Sequence, residues 1–154
     1  MTITFKRSMV ADAEELIKLQ ILAFHNDARM YPGVEPGGPP GYDSLDAMLE
    51  KMSNNDYYTI RYDGQMVGGM GIFNMGQGHY HLDVIYIDPA YHNRGIGTRA
   101  MQFLEQTYPA KQWTLDTPAW AIRNQHFYEK LGYVKVKEET YPDIILFGYE
   151  KRIG

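Results

Sequence analysis

The spacing of hydrophobic positions changes several times along the chain, and each change marks a predicted element. Residues 2–8 alternate as a half-buried strand does. Residues 15–24 then place apolar side chains at helical spacing after Asp12, with Glu15 three positions on as in a capping box. Residues 25–43 contain four of the eight prolines and several glycines, which predicts a loop that overhangs a cleft.

The middle of the chain switches to the two-residue period of strands. Ser44 is placed to cap a short helix over residues 45–52. Residues 57–62 and 66–73 are predicted to pair as a hairpin around the Asp63–Gly64 turn, because Asp-Gly accepts the positive φ angles of a tight turn.

The last half of the chain alternates strands and helices. Further elements are predicted at residues 79–87 (strand), from Gly95 onward (helix), 113–116 (strand), 124–131 (helix), 134–136 and 144–149 (strands). This order predicts an α/β fold in the form of a mixed sheet with helices on its faces.

Length and composition fit one globular domain over residues 1–154. Hydrophobic residues make up 44% of the chain and charged residues 22%, so a core can form and disorder is disfavoured. The absence of cysteine removes disulfides, a thiolate nucleophile and cysteine-ligated metals.

The charge balance argues against nucleic acid as a partner. Fifteen Lys and Arg against nineteen Asp and Glu give a net charge of −4, which supplies no global attraction to phosphate backbones. No run of about 18 apolar residues occurs, and the N-terminus lacks the pattern of a signal peptide. We therefore expect a cytoplasmic protein that is not inserted in a membrane.

The sharpest local feature is the turn from residue 88 to 99, which contains Gly95, Gly97 and two arginines. Glycine lets backbone N–H groups approach a ligand, and a helix N-terminus adds partial positive charge. Arg94 and Arg99 can neutralise an anion. The turn is therefore suited to a pyrophosphate, although a plain strand-to-helix turn has the same residues.

Two other kinds of site remain open at this point. Gly95, Gly97 and Ala100 satisfy a dinucleotide-binding fingerprint, with Asp116 about twenty residues on, although residues 88–94 separate the glycines from the strand. His79, His81 and Asp83 place three metal-ligand types on one face of a strand, but no further His follows at ligand spacing. We expect no metal.

Two segments resemble the GCN5-related N-acetyltransferase (GNAT) family. Ile87-Asp88-Pro89 followed by His92-Asn93-Arg94-Gly95-Ile96-Gly97 is similar to the family's strand end and glycine turn, with His92 where Gln or Arg is usual. Asn124 to Tyr133 is similar to its Asn…Phe-Tyr-Glu-Lys-Leu-Gly-Phe helix. The resemblance implies a GNAT-like acyl-CoA N-acyltransferase fold, with about six to seven mostly antiparallel strands flanked by about four helices.

The resemblance also implies the cofactor and where it binds. Acetyl-CoA would donate an acetyl group and leave as coenzyme A. Its pantetheine arm would pair with backbone at Ile85, Tyr86 and Ile87, and its pyrophosphate would lie on the turn. The positions implied on the turn and the following helix are His92, Asn93, Arg94, Gly95, Ile96, Gly97, Thr98 and Asn124.

The same resemblance suggests catalytic roles. Tyr128 matches the family's general acid, which protonates the departing thiolate. A primary amine with a pKa near 10.4 is about one part in a few thousand free base at pH 7, so a base assists attack. His81 or Asp83 is predicted to supply it.

The acceptor is predicted to be a primary amine of a small molecule or peptide, contacted by His25, Asp27 and Tyr31 on the loop after the first helix. The predicted function is acetyl transfer by direct attack in a ternary complex. A CoA-binding regulatory module without turnover is the alternative, with a dinucleotide-binding protein behind it. The oligomeric state is open, and a homodimer is one option.

Overall fold

A computed structural model describes residues 2–154 of the chain. Its elements are β1 (Ile3–Arg7), α1 (Ala13–Arg29), α2 (Leu45–Asn54), β2 (Asp56–Tyr62), β3 (Gln65–Gly76), β4 (His79–Ile87), α3 (Ile96–Thr107), β5 (Gln112–Pro118), α4 (Ile122–Lys130), β6 (Val134–Thr140) and β7 (Ile145–Arg152). Single 3-10 turns lie at Val10–Asp12 and Pro89–Tyr91. Seven strands and four α-helices confirm the predicted fold class.

The seven strands form one sheet in the order β1-β2-β3-β4-β5-β7-β6. All neighbours are antiparallel except β4 and β5. A dinucleotide-binding fold would require a mainly parallel sheet, so the fingerprint at Gly95 is not part of one.

Helix α1 runs to Arg29, whereas the sequence pattern predicted that it ends at residue 24. No proline or glycine interrupts the chain before Pro32, and the small side chain of Ala28 is buried against the core. The placement of His25 and Asp27 on a loop was therefore wrong, since both belong to the last turns of α1.

The predicted helix starts had different outcomes. Ser44 caps α2, and its Oγ accepts a hydrogen bond from the Ala47 N–H at 3.2 Å. The capping role predicted for Asp12 on α1 was wrong. Its carboxylate instead accepts from the Met9 N–H at 2.9 Å, ahead of the helix, and pairs with Arg61 at 3.3 Å.

Two hydrophobic clusters cover the two faces of the sheet. Helices α3 and α4 pack on one face, where Leu82, Trp113 and Tyr128 are buried. Helices α1 and α2 pack on the other face over Val84 and Tyr86. The site described below therefore has walls from both layers.

A bulge in β4 changes which face its residues meet. Val84 pairs with Gly71 and Leu82 with Ile72, so Asp83 is an extra residue in the ladder. Simple alternation would place Leu82 and Val84 on one face, whereas they belong to different clusters. The bulge rotates the second half of β4 relative to the first.

Candidate active site

A gap opens in the sheet between β4 and β5. The two strands pair only from His79–Gln112 to Leu82–Leu115, and β4 continues to Ile87 without a partner on that side. On its other edge β4 stays paired with β3 as far as Ile87. The second half of β4 thus has an unpaired edge in the middle of the sheet, which is a ready position for an extended ligand.

The backbone of β4 directs two residues into this gap. The Asp88 N–H donates to the Val67 carbonyl at 2.7 Å, so residue 88 faces β3. Alternation along the strand then turns Tyr86 toward β3 and Ile85 and Ile87 toward the gap. Among the three predicted pantetheine contacts, the backbone groups of Ile85 and the N–H of Ile87 are available. The Ile87 carbonyl is contacted by His92, and the backbone groups of Tyr86 face β3.

The glycine turn ends in a row of free amides. Asn93 and Gly95 have φ angles of 63° and 75°, and Gly95 is the N-cap of α3. The first helical bond runs from the Arg99 N–H to the Gly95 carbonyl at 3.0 Å. The six N–H groups of residues 93–98 donate to no other described residue, so they form an anion-binding cradle at a helix N-terminus.

Glycine is required at positions 95 and 97 for different reasons. A Cβ at Gly95 would meet nothing within 4 Å, so this glycine is required by its left-handed φ rather than by space. A Cβ at Gly97 would lie 3.2 Å from the Phe127 ring. Gly97 therefore lets α3 approach α4 closely.

The side chains of His92 and Arg94 turn away from the free amides. His92 Nε2 lies 3.1 Å from the Ile87 carbonyl oxygen and occupies the end of the open strand edge. The guanidinium of Arg94 lies over the rings of Tyr91 and Tyr62, at 5.1 and 5.5 Å from their centroids. Arg94 thus contributes its amide to the cradle, while its charge lies toward the β2–β3 turn.

Tyr128 combines a buried ring with a free hydroxyl. The residue is 8% exposed and packs against Phe127, Tyr133 and Tyr149. Its hydroxyl makes no hydrogen bond to a described residue, and it is not among the fully enclosed polar atoms that lack a partner. Burial raises the pKa of Tyr128, and the nearby Asp27 carboxylate raises it further. The phenol is therefore protonated at neutral pH and has an unused proton.

The end of α1 meets the start of α4 across the gap. The Tyr31 hydroxyl accepts from the Arg123 N–H at 3.0 Å, and its ring lies 5.4 Å from Trp120. Burial raises the pKa of Asp27, and the electrostatic effects of His92 and Arg123 partly offset that shift. Two of the predicted acceptor residues, Asp27 and Tyr31, are thus brought to the same place as Tyr128.

The third predicted acceptor residue lies elsewhere. His25 Nε2 is 2.7 Å from the Tyr42 hydroxyl, and the two rings are in contact. Gln20 also donates to the Tyr42 carbonyl at 2.8 Å. The structure gives His25 a role in holding the proline-rich loop on α1.

The two predicted bases lie on the α1–α2 face of β4 with different partners. His81 Nδ1 is 2.7 Å from Thr114 Oγ1, and its Nε2 is 3.8 Å from Asp116 Oδ2. Burial lowers the pKa of His81, and Asp116 partly offsets that effect. Asp83 forms an ion pair with Lys51 at 2.8 Å, without hydrogen-bond geometry. His81 is the one available as a neutral base.

No group of three metal-binding side chains lies together within residues 2–154. His79 and His81 each place a nitrogen 2.7 Å from Thr114 Oγ1. None of the helices that the structure describes is long and apolar enough to cross a membrane.

Sequence reasoning missed several residues that build the site. Gln125 is buried and donates to the carbonyls of Pro118 and Ala119 at 3.2 and 2.9 Å, which fixes the start of α4 on the end of β5. Arg123 stands beside Asn124 in the motif, and nothing in the pattern marked it. Asn124 lies in the first turn of α4, partly buried, and its side chain makes no hydrogen bond to a described residue.

The fold is that of solved acetyltransferase structures. The PaiA N-acetyltransferase from Thermoplasma acidophilum, crystallised with coenzyme A, has a TM-score of 0.79 at 18% identity, covering 99% of this chain and 100% of that one. A GNAT acetyltransferase from Elizabethkingia anophelis with acetyl-CoA bound has a TM-score of 0.73 at 13% identity, covering 98% of each chain. The cofactor predicted from the motifs is the one these structures hold.

The sequence model of the Acetyltransferase (GNAT) family matches residues 21–133, and the chain belongs to this family. This confirms the resemblance drawn from its two motifs.

The similarity to three relatives extends over different shares of the chain. It is 25% identical to S-(2-succino)cysteine N-acetyltransferase of Bacillus subtilis over 88% of its length and 86% of that protein's. It is 31% identical to N-alpha-acetyltransferase RimI of Mycobacterium tuberculosis over 61% of its length and 54% of that protein's. It is 39% identical to B. subtilis YrkN over 49% of its length, and spans 43% of YrkN.

Proposed function

We propose that this chain is an acetyl-CoA-dependent N-acetyltransferase that acetylates a primary amine of a small molecule or peptide by direct attack in a ternary complex. The observation that carries the proposal is the row of six free amides at residues 93–98 beside the unpaired edge of β4. An anion cradle next to an open strand edge fits a ligand with a diphosphate and an extended amide-containing arm.

Acetyl-CoA supplies an acetyl group activated as a thioester, which the amine nitrogen takes while the coenzyme A thiol leaves. The amides of residues 93–98 would hold the diphosphate. Ile85 and Ile87 would pair with the pantetheine arm, and an N–H of this edge would donate to the acetyl oxygen as negative charge develops there. His92 would have to release the Ile87 carbonyl for the arm to pair with it.

Two side chains are proposed to move the protons. His81, kept neutral by its lowered pKa, takes a proton from the ammonium through water and frees the nitrogen lone pair. Tyr128 donates a hydrogen bond and then its proton to the departing sulfur, and the second proton lost by the nitrogen restores the Tyr128 phenol. Because the chain has no cysteine, no thiol of the protein can carry the acetyl group between the two substrates.

The names of two relatives support an α-amine, whose nitrogen is bonded to the carbon that bears a carbonyl or carboxyl group. One is named an S-(2-succino)cysteine N-acetyltransferase and the other an N-alpha-acetyltransferase. We propose an α-amine for this chain. The cytoplasmic location and the oligomeric state expected from the sequence stay predictions.

Thermal unfolding with acetyl-CoA, coenzyme A or NAD tests the cofactor. Stabilisation by the first two and not by NAD is expected, because a ligand that binds only the folded state raises its melting temperature. Stabilisation by NAD alone would contradict the proposal.

Release of thiol from acetyl-CoA in the presence of an amine panel then tests turnover. Binding with no release for any amine would favour the regulatory module.

A further inference from the structure

Two opposite charges meet at the gap without compensating each other. The carboxylate of Asp27 forms no hydrogen bond and no ion pair with a described residue, although it is half-buried. The guanidinium of Arg123 likewise has no carboxylate partner and donates only to the Met30 sulfur, at 3.2 Å. A thioether is a weak acceptor, so the exposed guanidinium of Arg123 keeps its donors free to bind an anion.

The position of Arg123 is set by the backbone. Its N–H donates to the Tyr31 hydroxyl, and its side chain lies along Met30, one turn from Asp27 on α1. Gln125 fixes the same turn of α4 on β5. The exposed guanidinium is therefore held beside the end of α1, while Asp27 is half-buried and its charge acts on Tyr128.

A half-buried carboxylate without a partner costs free energy in the folded protein. Met30, whose sulfur contacts the Arg123 guanidinium, lies three residues after Asp27 at the end of α1, so the two charges are neighbours that form no ion pair with each other. A ligand that satisfies both must carry a cation for Asp27 and an anion for Arg123.

We propose that the acceptor is a free α-amino acid, whose ammonium group binds Asp27 and whose carboxylate binds Arg123. This inference rests on the proposed acetyltransferase function and specifies its substrate class. An α-amino acid carries both charges on one carbon, and its amine, placed at Asp27, lies beside the proposed acid Tyr128. A peptide N-terminus lacks the carboxylate, and a polyamine would place a second cation near Arg123.

Matched acceptors test the inference. Thiol release from acetyl-CoA is measured with each common L-amino acid, with its amide, and with the amine that lacks the carboxyl group, such as L-leucine, L-leucinamide and 3-methylbutylamine. We expect kcat/KM for the best free acid to exceed that for its amide by about tenfold or more, the range of a hydrogen bond to a charged group.

The Arg123→Gln variant should lose the preference for the free acid over its amide, because KM for the free acid rises. The kcat/KM for the amide should stay unchanged. Arg123→Lys should keep part of the preference, because it keeps the charge without the fork of the guanidinium. Arg152→Gln is the matched control, since Arg152 lies on β7 and pairs with Glu150 at 2.9 Å. It should leave all three rates as they are.

The outcomes separate the two proposals. Equal rates for acids and amides in the wild type, or a preference that survives Arg123→Gln in a protein with an unchanged melting temperature, would overturn the amino-acid inference and leave the acetyltransferase intact. No thiol release with any amine would overturn both.

Discussion

At Tyr128, a single side chain is buried at its ring and open at its hydroxyl. The ring is held by three other aromatic residues, so the position of the oxygen is set by core packing rather than by a hydrogen bond. A donor held in this way can meet a sulfur atom without first breaking a bond to the protein. The raised pKa keeps its proton in place until that moment.

Replacing Tyr128 with Phe should lower kcat by about 10²- to 10⁴-fold, the usual contribution of a positioned general acid. The affinity for acetyl-CoA should stay nearly unchanged, because the ring and its packing remain. Steady-state thiol release and calorimetric titration measure the two quantities. Tyr133→Phe is the control, since its ring packs on Tyr128 in the same cluster. Equal rates for Tyr128→Phe and wild type would remove Tyr128 from the mechanism.

Asp27→Asn should stabilise the protein at neutral pH and lower its activity. Burial raises the folded-state pKa of Asp27, so stability falls as pH rises from the unfolded-state value, about 3.9, through the folded value. Removing the charge abolishes this loss. The melting temperature should exceed that of the wild type at pH 7, and the difference should shrink at pH 4. The kcat/KM should fall about tenfold or more.

Asp43→Asn is the control for that experiment, because Asp43 is an exposed carboxylate with no ion pair to a described residue. It should change neither stability nor rate by much. A lower melting temperature for Asp27→Asn at pH 7 would show that the carboxylate has a partner that stabilises the fold.

Residue types and spacing were enough to predict the glycine turn and to single out Tyr128 as a candidate, because each lies in a continuous motif. The meeting of Asp27 with Arg123 was not predictable, since it depends on where β4 and β5 part, a contact between residues far apart in sequence. The contact of His25 with Tyr42 was not predictable for a related reason. Its partner Tyr42 is reached only when the proline-rich loop folds back on α1.

At the scale of the element, the bulge in β4 and the glycines of β3 belong together. A Cβ at Gly69 would lie 2.5 Å from the Tyr86 hydroxyl, so a side chain there is excluded. That space is occupied by the Tyr86 hydroxyl, which forms a buried hydrogen bond of 2.7 Å with the Tyr57 hydroxyl. The Tyr57 hydroxyl donates to Gln20 Oε1 at 3.2 Å. The hairpin could be predicted from its two-residue period and its turn. The need for its glycines could not, because it depends on the side chain of Tyr86 on the neighbouring strand.

The cradle at the start of α3 can be tested with two variants that differ only in charge. Asp and Asn both tolerate a left-handed φ, and the Cβ that either adds at Gly95 meets nothing within 4 Å. Gly95→Asp adds a carboxylate beside the six amides and should weaken coenzyme A binding strongly. Gly95→Asn should bind much closer to wild type. Calorimetric titration at low and high salt measures both, and equal affinities for the two variants would contradict an anion site at this turn.

At the scale of the whole molecule, the sheet consists of two halves joined by a short parallel ladder of four residue pairs. Strands β1 to β4 form one half and β5, β7 and β6 the other, and α1 and α4 meet across the gap through Tyr31 and Arg123. A cofactor paired with the open edge of β4 would add hydrogen bonds where the sheet has none. Its binding should therefore be visible in the backbone as well as in activity.

Hydrogen exchange gives that backbone readout. Coenzyme A should slow amide exchange at Ile85, Ile87 and residues 93–98. In the free protein these N–H groups donate to no described residue and are open to exchange with solvent. Exchange within the β6–β7 hairpin should change little, since its ladder is already paired from Val134 to Thr140. NAD serves as the ligand control. If coenzyme A protected other amides but left exchange at residues 93–98 unchanged, the diphosphate would bind elsewhere and the proposed function would be contradicted.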